Sequence, residues 1–278
     1  MLRALCFLIN LIPFRVGMAL GRKIGLCLYW ILKSRRDITL QNLRLAYRGE
    51  KTEAELRQIA KEAFENLGMI AVEFIRIPNM CANPRAYVVC ENADLAFKEL
   101  EKVKGLIFIV SHFGNWEWMA IATGDAGLPM NAIARPLRNP YVYRQIVKWR
   151  GATGLKSISK YGGARNSIKV LSENKIVSML IDQHERQGSV RVPFFGREAS
   201  TTTLPAILAV KKGIPVIPLF FYREAGISRV IIKKAFPLIQ TGDYERDIFE
   251  NTKQYMQSIE QEVRKRPGAW LWMHRRWR

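Results

Sequence analysis

A chain of 278 residues, 49% hydrophobic and 24% charged, has room for one or two domains and enough apolar residues to bury a core, which excludes a disordered tail. Its 44 Lys and Arg against 24 Asp and Glu give a formal charge of +20, which favours an acidic partner: nucleic acid, anionic lipid, a phosphorylated substrate or an acidic protein. The four cysteines (Cys6, Cys27, Cys81, Cys90) form no CxxC pair and no zinc spacing, so a disulfide scaffold is excluded and a reducing compartment is favoured.

Residues 1–48 carry Arg3, Arg15, Arg22, Lys23, Lys33, Arg35, Arg36, Arg44 and Arg48 against one acid, Asp37. Arg15 and Arg22-Lys23 cut the apolar stretch Ala4–Leu32 into short runs, and Pro13 is expected to kink it. A spanning helix needs about 20 predominantly apolar residues, so an interfacial or re-entrant anchor fits better than a clean span. A soluble core helix and a single tilted span are the alternatives. No small-residue cleavage site follows, which argues against a signal peptide.

Thr52-Glu53-Ala54-Glu55 reads as a capping box opening a helix to about Ile77. Strands are expected at Ala86–Cys90, Leu106–Val110, Asn131–Ala134, Ile176–Ile181, Pro215–Phe221 and Arg229–Ile232. Helical patterns lie between most of them, near 93–103, 115–126, 140–150, 164–174 and 202–212, and a last amphipathic helix covers about 244–265. The alternation predicts an α/β fold, a largely parallel sheet flanked by helices, with an N-terminal membrane-associated helical segment. The division expected is 1–48 for that segment and 49–278 for the α/β domain. Residues 264–278 close the chain with six basic residues, no acid, and Trp270, Trp272 and Trp277. That mixture suits a membrane–water boundary, a stacking surface for single-stranded nucleic acid, or a segment packed on the core.

The strand Leu106–Val110 runs into Ser111-His112-Phe113-Gly114-Asn115-Trp116-Glu117-Trp118. Open α/β sheets place ligands at such carboxyl ends. With His112 in the turn and Glu117 in the first turn of the next helix, the carboxylate is expected to fold back onto the imidazole, as the third member of a hydrolase triad does. That is general-base chemistry awaiting a hydroxyl, although a structural histidine has almost as strong a claim. HxxxxE lacks the paired histidines of a zinc protease, and no GxSxG elbow, P-loop or dinucleotide fingerprint is present. An enzyme of this kind would pass a group directly to an acceptor activated by His112.

The block SHFGNWEW resembles the HxxxxD/E motif of membrane glycerolipid acyltransferases. Arg35-Arg36 with Asn42-Leu43, Ala134-Arg135-Pro136, Arg150, Asp182-Gln183, Val192–Gly196, Thr201–Thr203, Gly213–Pro218 and Trp270–Trp277 follow in order. Together they resemble the bacterial lipid A late acyltransferases, the lauroyl and myristoyl transferases, over nearly the whole chain. The resemblance implies transfer of an acyl group from acyl carrier protein to a hydroxyl of a phosphorylated glycolipid at the cytoplasmic face of the bacterial inner membrane. It implies no cofactor, metal or nucleic-acid partner, and it places His112, Glu117, Arg150 and Asp182 at functional positions.

Within that reaction, His112 takes the acceptor proton, and Arg135 and Arg150 are candidates for the oxyanion or for an acceptor phosphate. Asp182 and Gln183 are substrate-binding candidates: Asp182 would hold an arginine or meet a sugar hydroxyl, or simply make a turn. Phe194 and Phe195 would line an acyl pocket or belong to the core. A phosphatidylinositol mannoside or a lysophospholipid is the alternative acceptor. A non-catalytic module binding membrane or nucleic acid is the alternative of another class.

Overall fold

The segment Leu106–Val110 is apolar without alternation, the pattern of a strand covered on both faces, and all five residues are buried. In the computed structural model, which describes residues 8–134, 140–159, 162–224 and 226–278, it is the central strand of a seven-stranded sheet. The strands are β1 (Val88–Glu91), β2 (Leu106–Val110), β3 (Met130–Ala134), β4 (Lys156–Ser159), β5 (Ile176–Leu180), β8 (Val216–Tyr222) and β9 (Ser228–Ile232), in the order β1-β9-β8-β2-β5-β3-β4. All neighbours are parallel apart from β8 and β9. A separate antiparallel hairpin joins β6 (Ser189–Phe194) to β7 (Arg197–Thr202). The α/β reading therefore holds, and the six expected strands lie within two residues of their expected limits. The polar edge strand β4 and the hairpin were not expected.

The helices are α1 (Phe14–Ile31), α2 (Lys33–Ala46), α3 (Glu53–Ile75), the short α4 (Ile77–Met80), α5 (Ala93–Lys102), α6 (Trp116–Asp125), α7 (Pro140–Ala152), α8 (Gly163–Ser172), α9 (Leu204–Lys212) and α10 (Tyr244–Lys265). The capping box forms at α3, with the Thr52 N–H donating to Glu55 and the Glu55 N–H to the Thr52 hydroxyl. Alternate residues of β2 face two cores: Ile107 and Ile109 meet residues of α2, α3, α9 and α10, while Leu106, Phe108 and Val110 meet residues of α5 and α6.

The N-terminal helices are tied into this body. Asn42 on α2 donates to the carbonyls of Trp272 and His274, joining the two ends of the chain. Trp270 and Trp272 are buried, so the terminal tryptophans serve the core first. Gly17, Gly21 and Gly25 recur every four residues on the buried side of α1. A Cβ at Gly21 would lie 2.9 Å from the Gly68 carbonyl of α3, and one at Gly68 would overlap the Gly21 carbonyl. The two helices thus meet backbone to backbone. Gly68→Val should separate them and lower unfolding stability by about 1–3 kcal/mol, as overpacking does. Thermal unfolding checks this, and a variant as stable as the parent would contradict the close approach.

The opposite side of α1 exposes Val16, Leu20, Ile24 and Ile31, with Trp30 58% exposed beside them. Among the described residues, no helix is long and apolar enough to cross a membrane.

Candidate active site

Parallel register brings the central pair together. Val110 of β2 pairs with Leu180 of β5, so two residues further along each strand His112 falls beside Asp182. The turn needs Gly114, whose φ of +61° and close approach to Phe221 leave no space for a Cβ. The C-terminal segment straps it: Gly114 N–H donates to the Ala269 carbonyl, Leu271 N–H donates to the His112 carbonyl, and Phe113 forms a β-bridge with Trp270.

Asp182 is 1% exposed and accepts three hydrogen bonds of 2.8 Å, from the His112 N–H, His112 Nδ1 and Trp270 Nε1. Burial pushes its carboxyl pKa up, but the His112 charge and these hydrogen bonds outweigh burial and hold it below the ordinary value. An ionised carboxylate only accepts, so when the ring is neutral its proton sits on Nδ1 and Nε2 carries the lone pair. The Gln183 amide nitrogen lies 3.3 Å from Nε2 and can donate to it.

The expected pairing of Glu117 with His112 is corrected. Asn115 caps α6, its side-chain oxygen accepting from the N–H groups of Glu117 and Trp118. From the first turn so fixed, Glu117 accepts both edges of Arg150 on α7, Nε at 2.8 Å and Nη2 at 2.6 Å, with Trp116 Nε1 at 3.2 Å. The Trp116 ring, at 4.8 Å from the His112 ring, separates the two pairs. Burial pulls the Arg150 pKa down, yet Glu117 more than offsets it and holds it above the ordinary value. Arg150 is therefore a neutralised cation with Nη1 uncommitted among the described residues. Sequence reasoning also missed the support behind the cap: Asn115 Nδ2 donates to the fully buried Glu73, which Arg223 grips through Nε and Nη2.

His112, Glu117, Arg150 and Gln183 line a cavity of about 930 Å³. Trp116, Ile133, Tyr143 and Ile146 contribute apolar and aromatic surface, and residues 183–187 with Thr202, His274 and Arg278 contribute a polar wall. Phe194 and Phe195 do not line it, which corrects the acyl-pocket expectation. The hairpin carries them inward, Phe194 onto Trp270 and Trp277, and Phe195 onto Tyr47 and Trp272. Arg135 lies outside the described residues.

All three histidines of the chain line the cavity. Burial, against the pull of Asp182 and with help from His112, Arg278 and Arg276, pushes the His274 pKa down to about 4. An unfolded His titrates near ~6.5, so below that pH the unfolded chain binds the extra proton first. Stability should fall as pH drops from about 6.5 towards 4. Urea midpoints of the parent and His274→Gln across that window check this; the variant should show a flatter slope, and an unchanged slope would contradict it.

The whole chain, residues 1–278, matches the family described as bacterial lipid A biosynthesis acyltransferase. It is similar to the lipid A biosynthesis palmitoleoyltransferase of Escherichia coli (strain K12), 27% identical over 96% of this chain and 86% of the relative. The lipid A biosynthesis acyltransferase of Shigella flexneri gives the same figures. A phosphatidylinositol mannoside acyltransferase of Mycolicibacterium smegmatis is 25% identical over 47% of this chain and 44% of the relative. The α/β protein with this histidine–aspartate site is an acyltransferase. It belongs to the bacterial lipid A biosynthesis acyltransferase family.

Proposed function

We propose that the protein transfers a fatty acyl group from acyl carrier protein to a hydroxyl of a lipid A precursor, with His112 as general base. The observation that carries this reading is the Asp182–His112 hydrogen bond, which leaves the Nε2 lone pair at the cavity. The acceptor hydroxyl takes the place of the Gln183 amide, gives its proton to Nε2 and attacks the thioester carbonyl. The tetrahedral intermediate collapses, the carbon–sulfur bond breaks, and the imidazolium returns the proton to the departing thiolate. Products are the ester and the free carrier thiol.

Negative charge on the carbonyl oxygen meets the positive end of α6, whose first residues border the cavity, and the Nη1 edge of Arg150. The Glu117–Arg150 pair positions that edge. Its neutralised charge makes Arg150 better suited to the oxyanion than to an acceptor phosphate. A basic surface of +20 favours an acidic carrier over a small thioester, so raising salt should slow transfer from the carrier.

The exposed apolar stripe of α1, flanked by Arg15, Arg22 and Lys23, supports work at the cytoplasmic face of the inner membrane. Leu20→Glu with Ile24→Glu should cut flotation with anionic vesicles severalfold, and unchanged flotation would contradict the interfacial role. The test of the function is mass spectrometry of products from the purified protein, acyl carrier protein thioester and two acceptors, a lipid A precursor and a phosphatidylinositol mannoside. Acylation of the first supports the reading. Acylation of the second alone favours the reading that the mycobacterial relative suggests.

A further inference from the structure

Arg150 is neutralised by Glu117, but the polar wall of the same cavity holds arginines that are not. Arg186 and Arg278 are exposed there, and neither guanidinium has an ion pair or hydrogen bond among the described residues. Behind them Arg276 is fully buried, donating to the Ser200 carbonyl and the Thr201 hydroxyl and lying over the Phe194 ring at 5.6 Å; Asp182 attracts it without an ion-pair contact and only partly offsets the burial that lowers its pKa to about 10. The acid of this wall, Glu185, accepts the Arg186 backbone N–H at 3.0 Å. Burial, then Arg278, Arg276 and Arg186 in that order, lower the His184 pKa against Glu185, so all three cations reach one imidazole. His184 and His274 each bury Nδ1 without a hydrogen-bond partner among the described residues. Orphaned buried N–H groups are rare, so the proton of each neutral ring belongs on Nε2, the nitrogen left to serve as a donor.

Two cations without an ion-pair partner among the described residues share one cavity wall with a third behind it, and an anion placed between them relieves their mutual repulsion. Guanidinium forks match a phosphate in shape as well as charge. The position also selects the substrate. The group that replaces Gln183 at His112 Nε2 is the acceptor hydroxyl, and Gln183 leads directly into His184-Glu185-Arg186 along the same wall. The acceptor headgroup, rather than the thioester, therefore lies beside the arginines.

We propose that Arg186 and Arg278, backed by the buried Arg276, bind a phosphate monoester on the acceptor lipid. The identification of that lipid as the acceptor rests on the acyl-transfer reading; the anion site rests on the cavity alone. Binding of lysophosphatidic acid and of the monoacylglycerol with the same chain, in neutral detergent micelles, tests it by calorimetry. The parent protein should prefer the phosphate by about tenfold or more, as one or two charge-assisted hydrogen bonds provide. Arg186→Gln with Arg278→Gln should abolish the preference and leave monoacylglycerol binding unchanged. Lys211→Gln with Lys212→Gln removes the same charge from exposed positions on α9 and should preserve it.

A preference that survives the arginine changes, or falls equally in the lysine control, overturns the proposal. So does a methyl ester of lysophosphatidic acid that binds as well as the monoester, because the phosphopantetheine of a carrier protein is joined through a diester and the anion site would then suit the donor. Phosphate preference in a protein that transfers no acyl group would refute the acyl-transfer reading and leave the anion site standing. Transfer without phosphate preference would do the reverse.

Discussion

Asp182→Asn should lower kcat for acyl transfer by about 10³–10⁴-fold while the protein remains folded, the scale seen when the aspartate of a hydrolase triad is made an amide. Asp182 accepts from three donors, His112 N–H, His112 Nδ1 and Trp270 Nε1. Asparagine has one acceptor oxygen, and its amide group points donors where the carboxylate offered lone pairs. If the amide faces the ring, Nδ1 must become the acceptor, and the proton moves to Nε2. The base is then blocked by its own proton. Single-turnover rates with acyl carrier protein thioester, alongside a thermal melt, measure this. A folded Asp182→Asn protein with parental rates would contradict the assignment.

Removing the base itself should cost about 10²–10⁴-fold. His112→Ala leaves the buried Asp182 short of one donor, so the cleaner variant is His112→Asn, whose amide nitrogen can stand near Nδ1 and keep that hydrogen bond without supplying a base. Both should lose transfer and still bind lipid. Glu117→Gln should do less, because the carboxylate acts on Arg150 and not on the imidazole. It leaves a half-buried cation without its counter-charge. The ordering of the three positions separates the roles: His112 and Asp182 together, Glu117 well behind. Glu117→Gln matching Asp182→Asn in rate and in pH profile would restore the pairing read from the HxxxxE spacing.

His112 and Asp182 were both legible as polar residues just past apolar strands. Their partnership was not, because it depends on β5 inserting between β2 and β3 in the sheet, and strand order leaves no local mark. Glu117 was misjudged for the complementary reason. Its spacing from His112 is local, but Arg150, the partner that claims it, lies 33 residues away on another helix.

The hairpin was hidden by its turn. Phe195 and Gly196 both have positive φ, as a two-residue hairpin turn of the I′ kind requires, and Phe stands where Asn or Asp would have signalled it. β7 is largely polar, so it carries no apolar run to read. The N-terminal glycines went unread in the sequence, because their spacing takes on meaning only opposite Gly68 of another helix. The terminal Trp-Leu-Trp run was read for its aromatic and basic content; the hydrogen bond from Trp270 Nε1 to Asp182 is a long-range contact that content does not encode.

The tautomer of His112 tests the central claim most directly. Only three histidines are present, so ¹⁵N-histidine labelling gives three ring systems, and His184→Gln and His274→Gln assign two of them by subtraction. In its neutral form the remaining ring should carry its proton on Nδ1 and leave Nε2 bare, and in Asp182→Asn that pattern should be lost. A neutral His112 ring that carries its proton on Nε2 in the parent protein would contradict an Asp182-oriented base.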